Sequence, residues 1–227
     1  MPAPDLSAKR TAYDAWLAAR TGRPAETVPG LSEALPFPLD PEGLARRGWS
    51  DLPLYWIPEP GIVYADGYGE DRAIYDTPIF NPEGVEPRTI HLGLDVFALP
   101  GTRVHAPLDG VMHSFQRNDN EKDYGPTIIL EHEVTPELTF YTLYGHLSLD
   151  SLDGLEPRKP VSKGQEIARL GSNDVNGGWA PHLHFQVILD VSDKHGDFPG
   201  VCRKSEQEAW LTLCPDPEAF LGLGQRR

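Results

Sequence analysis

From residue 88 to about residue 190 the chain is a series of short apolar runs, each closed by a turn. RTIHLGLDVFAL, TRVHAPL, GVMHSFQ, PTIILEHE, LTFYTLYGHL, EIARLG and HLHFQVIL are separated by PG, DG, YGP, SKG and NGG. The runs are rich in β-branched and aromatic residues, and no helical period joins one to the next. Such a chain satisfies its backbone groups only by pairing many short strands. The spacing predicts a mainly β fold, a twisted antiparallel sheet with a groove.

The flanks read differently. Ten of the 23 prolines fall in the first 60 residues, in pieces such as LPFPLDPEG and IPEPG, which forbid long regular elements. One helix is expected there, capped by Ser7, carrying Tyr13, Trp16 and Leu17 at helical spacing and stopped at Gly22. Trp49, Tyr55 and Trp56 would be costly to expose, so residues 1–60 are expected to wrap on another surface as an arm. Such an arm over the groove would restrict access, and its removal would then raise activity. Residues 61–195 form the expected β domain. In residues 196–227, SEQEAWLTL predicts a helix within a C-terminal tail.

Charge narrows the partners. With 34 acidic against 20 basic residues the net charge is -14, which disfavours nucleic acid and anionic membranes. Neither a signal peptide nor a run of about 18 apolar residues is visible, so a cytoplasmic location is expected. Cys202 and Cys214 lack CxxC spacing and are expected as free thiols.

Three local patterns carry chemistry. In RTIHLGLDVF, His91 and Asp95 share parity, but on a straight strand their Cα atoms would lie about 13 Å apart. A shared zinc needs donor atoms within about 2.0–2.2 Å of the metal, so the strand must bend, and Gly93 sits midway. In PHLHFQV, His182 and His184 point to one face while Leu183 and Phe185 point to the other. His184 would be the third ligand, and two histidines with one carboxylate leave a fourth position open, as in catalytic zinc sites. His182, about 6.6 Å along the strand, is in reach of a metal-activated water or a substrate oxyanion. In LTFYTLYGHLS, His146 shares parity with Phe140, Thr142 and Tyr144. Tyr144 and Trp179, whose loop leads into HLH, are expected to contact substrate. His105, His113, His132 and His195 fall outside these patterns and are expected at the surface or at strand ends.

HLGLD, YGHLS and PHLHF resemble the three motifs of the lysostaphin-type, LytM-like zinc endopeptidases. The flanking APLDGVM and VSKGQEIARLG are similar too, and the likeness covers residues 88–192. It implies zinc as cofactor on His91, Asp95 and His184, with His146 and His182 as an unligated catalytic pair. It also implies hydrolysis of a peptide bond in a peptidoglycan-like substrate. The chain departs from the family's usual HLHFE by carrying Gln186, and no tyrosine stands shortly before His91, Tyr75 being the nearest. DYGPTIILEH and NGGWAPHLHFQVILD resemble, more loosely, a peptidase-like domain fused to kinase-like and class III aminotransferase domains. That likeness implies an intracellular peptide-like or amino compound as substrate instead of cell wall.

Two further readings compete. A non-catalytic zinc-binding regulator of the same fold would bind a partner through the groove, but such domains lose ligands and all five residues stand here. A phosphotransfer or carrier domain shares the VSKGQEIARLG style of hairpin, yet transfer between histidines has no use for Asp95.

Overall fold

A computed structural model describes residues 6–223 except 54 and 76. In chain order the elements are α1 (Leu6–Ala19), β1 (Leu35–Pro36), α2 (Pro41–Arg46), β2 (Tyr64–Asp66), β3 (Arg88–His91) and β4 (Leu94–Phe97). Next come β5 (Arg103–His105), β6 (Gly110–Asn118), β7 (Gly125–Thr135), β8 (Leu138–Gly145), β9 (Pro160–Val161), β10 (Glu166–Arg169) and β11 (His182–Ile188). The chain closes with β12 (Val201–Arg203), α3 (Gln207–Leu213) and α4 (Pro217–Leu221). Among the described residues no helix is long and apolar enough to cross a membrane.

The fold is mainly β. One eight-stranded sheet runs β1-β2-β4-β11-β8-β7-β6-β9, and two-stranded ladders pair β10 with β5 and β12 with β3. All pairings are antiparallel except β1 with β2, so the large sheet is mixed at that edge. β11 lies near its middle and all seven of its residues are buried. Leu183, Phe185 and Val187 face the main core with Val96, Ile128 and Phe140. The alternation expected of HLHFQVI therefore holds, but both faces are covered, one by core and one by the polar site described below.

The N-terminal segment is built into this core. α1 begins at Leu6, one residue before the expected cap, and seats Tyr13 and Trp16 on Phe140 at ring distances of 5.3 Å each. A second helix, α2, follows the first; Asp40 caps it by accepting from the Gly43 N–H at 2.6 Å, with Pro41 at the first turn. Phe37 stacks on Trp56 at 4.6 Å and meets Phe97 of β4 at 4.8 Å, which accounts for the tryptophans of the Pro-rich stretch. β1 hydrogen-bonds to β2 at the sheet edge. In the tail, β12 pairs with β3, and α4 brings Phe220 against Phe140 and Phe185. Cys202 and Cys214 are buried free thiols.

Candidate functional site

The register of the central strands builds the site. On β11, His184 stands opposite Asp95 of β4 on one side and Gly145 of β8 on the other, and His182 stands opposite Phe97. The bend expected at Gly93 is present, because β3 ends at His91 and pairs with β12 while β4 enters the large sheet. Gly93 is required by close approach: a Cβ there would lie 2.5 Å from His184 Cε1 and 2.9 Å from the Phe185 carbonyl oxygen. The bend brings His91 Nε2 to 3.2 Å from Asp95 Oδ1, and His184 Nδ1 lies 3.2 Å from the same oxygen. The two nitrogens are 2.9 Å apart.

The proton inventory of this triangle decides what it fits. His91 Nδ1 lies 2.9 Å from the Gly67 carbonyl, which can only accept, so the proton is on Nδ1 and Nε2 presents a lone pair. Gln186, on the same face of β11, settles the other ring. Its Nε2 donates to the Pro199 carbonyl at 3.2 Å, which turns Oε1 toward His184 Nε2 at 2.9 Å. His184 thus donates from Nε2 and presents a lone pair at Nδ1. A glutamate at 186 could accept from His184 but could not donate to Pro199. Three lone pairs, from two imidazoles and a carboxylate, converge with no proton among them. Their spacing approaches the roughly 3.3 Å edge of a tetrahedron with ligands at about 2.0–2.1 Å, so the donor set fits zinc.

Asp95 is held from behind. Its Oδ2 accepts from Arg72 Nη1 at 2.6 Å, and Arg72 Nε donates to Glu70 Oε2 at 2.6 Å. Glu70 Oε1 accepts in turn from the Leu39 N–H at 2.7 Å. Arg72 Nη1 also reaches Tyr75 Oη at 3.1 Å. A relay therefore runs from the N-terminal segment to the Asp95 carboxylate, on the oxygen that does not face His91 and His184, the place outer partners of ligands take at metal sites.

His146 and His182 face each other beside the triad, ring centroids 4.2 Å apart. Each donates from Nδ1 to a backbone carbonyl, His146 to Asn176 at 2.8 Å and His182 to Ala180 at 2.7 Å. Both Nε2 atoms are left as acceptors, and His182 Nε2 is 3.7 Å from Asp95 Oδ1. His146 reaches this position through an unusual backbone. It follows the last residue of β8 and has φ 62°, a conformation most side chains avoid and one that recurs at functional sites.

That turn overturns one expectation. Tyr144 is fully buried in the main core, 5.4 Å from Phe185 and hydrogen-bonded to Thr142 Oγ1 at 2.9 Å. It does not line the cavity, because strand parity ends where the backbone goes left-handed at His146. His132 is also buried, bonded to Thr142 Oγ1 at 2.8 Å and to the Asp109 carbonyl. It lies in the core and not at the surface.

The triad and both other histidines open on one cavity of about 330 Å³. Trp179 is in its wall, 6.4 Å from His146, and Lys122 Nζ rests 4.0 Å over the indole. The N-terminal segment contributes Leu39 and Leu52 to the same wall, so it borders the cavity instead of merely overlying it. Sequence reasoning missed Arg72, Asn176 and Tyr124. Tyr124 packs on His184 and His146 at 5.1 and 5.5 Å. For Asn176 a signal existed: the Gly177-Gly178 pair, both left-handed, marks a tight loop, and a Cβ on Gly177 would lie 1.9 Å from the Asp123 carbonyl oxygen.

Burial sets the electrostatics. It holds His132, His146 and His182 below the ordinary imidazole range and His91 at about 3, with the Arg72 charge adding to the last. Burial alone would raise Asp95, but His91 and Arg72 hold its carboxyl well below the usual range. As pH falls, an unfolded chain takes up imidazole protons near pH 6.5, before the folded chain does. Stability of the metal-free protein is therefore fully present above about pH 6.5 and is lost below it, at up to about 1.4 kcal/mol per pH unit for each histidine. The raised carboxyls of Asp66 and Asp197 act in the opposite sense, two groups against five, since burial lowers His113 as well. Urea unfolding of metal-free protein at about pH 7.5 and about pH 5.5 measures the difference; equal midpoints would refute it.

Residues 89–195 match the model of peptidase family M23. The catalytic domain of the antimicrobial peptidase lysostaphin from Staphylococcus simulans is similar at 23% identity over 69% of this chain and 90% of that one, with a TM-score of 0.43. A zinc containing peptidase from Vibrio cholerae is similar at 27% identity over 48% of this chain, TM-score 0.35. Csd3 from Helicobacter pylori is similar at 24% identity over 54%, TM-score 0.36. This chain spans only 32% of the Csd3 chain and 30% of the Vibrio chain. No curated protein matches.

Proposed function

We propose that this chain, whose residues 89–195 match the model of peptidase family M23, is a zinc-dependent peptidase. It hydrolyses an amide bond of a peptide, either peptidoglycan-like or intracellular and peptide-like. The observation that carries the reading is the convergence of His91 Nε2, Asp95 Oδ1 and His184 Nδ1 with no proton among them.

His91, Asp95 and His184 would hold zinc, which would supply Lewis acidity toward a water and the scissile carbonyl. The remaining work belongs to the chain. His146 and His182 meet the substrate with Nε2 unprotonated, so one of them takes a proton there and returns it to the leaving amine. With the rings 4.2 Å apart in a buried site, repulsion keeps the pair from carrying two charges at once. Only a ring that has been protonated at Nε2 can donate to the developing oxyanion, because the neutral ring presents a lone pair there. Asn176 and Ala180 fix both tautomers through their carbonyls, and Trp179 excludes water from the flank of His146.

Metal analysis tests this directly. Protein purified without added zinc is expected to hold about one zinc per chain, and His184→Ala to hold almost none. Zinc-loaded protein is then expected to cleave peptides. A wild type that is empty and takes up no zinc on titration would overturn the reading, and zinc bound without cleavage of any peptide would favour the regulator.

A further inference from the structure

The cavity beside the triad has one wall whose chemistry the matched domain does not supply. Leu39, Leu52, Ile74, Ile79 and Phe80 line it, and all five precede residue 89. Aromatic rings join this wall to the reacting groups. His146 meets Trp179 at 6.4 Å, Trp179 meets Tyr75 at 6.1 Å, and Tyr75 meets Phe80 at 4.9 Å. The surface is also preformed. Phe37 packs within the same cluster as Leu39, stacked on Trp56, and the Leu39 backbone is tied to Glu70.

We propose that this wall is a specificity subsite, which receives a bulky apolar side chain of the peptide beside the bond that is cut. The proposal rests on the peptidase reading above. Its warrant is desolvation. Ile79 and Phe80 are half-buried where they line the cavity, so they keep apolar surface that gains from an apolar partner, while Leu39, Leu52, Ile74, Tyr75 and Trp179, each at most 7% exposed, form the packed wall around them. A glycine or a small polar side chain would leave that surface wet. The charges lining the cavity nearly cancel, with Lys122, Lys194 and Arg88 against Asp123 and Asp197 beside the Arg72–Asp95 pair, so they supply only a weak alternative rule. Lys122 and Arg88 lie against Trp179 and Phe80, at 4.0 and 5.6 Å from the ring centres. Selection therefore falls to shape and apolarity.

The test uses the zinc-loaded full chain and two peptide series that differ at one residue next to the scissile bond, glycine in one and phenylalanine or leucine in the other. The expected kcat/KM is at least about tenfold higher for the bulky series on one side of the bond. Phe80→Ala and Ile74→Ser are expected to reduce that ratio severalfold. Calorimetry with phenylalanine hydroxamate and glycine hydroxamate gives a second readout, with about tenfold tighter binding expected for the first. Equal cleavage of both series with equal hydroxamate binding would overturn the subsite and leave the peptidase reading standing. Tighter binding of phenylalanine hydroxamate without cleavage of any peptide would support the subsite and overturn the peptidase reading. Absence of both cleavage and binding would overturn the two together.

Discussion

His146→Asn and His182→Ala are each expected to lower kcat by about 10²–10⁴-fold while leaving zinc content unchanged. Neither ring is a ligand in the triad, so the metal should stay. Asparagine is chosen at 146 because it tolerates a φ of 62°, which keeps backbone strain out of the comparison. The lost contacts, one to the Asn176 carbonyl and one to the Ala180 carbonyl, are each worth only about 0.5–1.5 kcal/mol. A folded, zinc-replete variant with a large kcat loss isolates the proton-handling role. Because the rings act as a unit, the double variant should lose little more than the worse single one. Zinc loss on either substitution, or activity within about twofold of wild type, would show that the pair does something else.

Arg72→Met is expected to destabilise the metal-free protein by about 3–5 kcal/mol, the range for breaking a buried ion pair from one side. Arg72 is 2% exposed and donates to Glu70 and Asp95 at 2.6 Å each. The intact group need not be strongly stabilising, since burying its charges costs much of what their attraction returns. Removing only the guanidinium is different, because Asp95 Oδ2 then loses its donor while the side chain stays buried. Zinc would restore positive charge on the other Asp95 oxygen, so the loss should be smaller in zinc-loaded protein. Urea unfolding with and without zinc reads both quantities. A change under about 1 kcal/mol in the metal-free protein would show that the relay from Leu39 to Asp95 carries little weight.

What the sequence by itself determined are the features that depend on near neighbours. Period-two alternation puts His182, His184 and Gln186 on one face of β11, and a glycine between His91 and Asp95 permits the bend that joins them. Turn punctuation likewise dictates many short strands. Parity failed at Tyr144 because one left-handed residue, His146, turned the chain out of the strand, and a single φ is not legible from residue types. Arg72, buried behind a ligand, and His132, buried in the core, were equally hidden. Whether a polar group is buried depends on which distant partner satisfies it, and Asp95 for Arg72 or the Asp109 carbonyl for His132 meets it only through tertiary pairing. The same holds for residues 37–80. Their prolines excluded long regular elements, but only packing against Phe97 and Trp179 made them a wall of the cavity, because apolar surface without periodicity takes its position from whatever it buries.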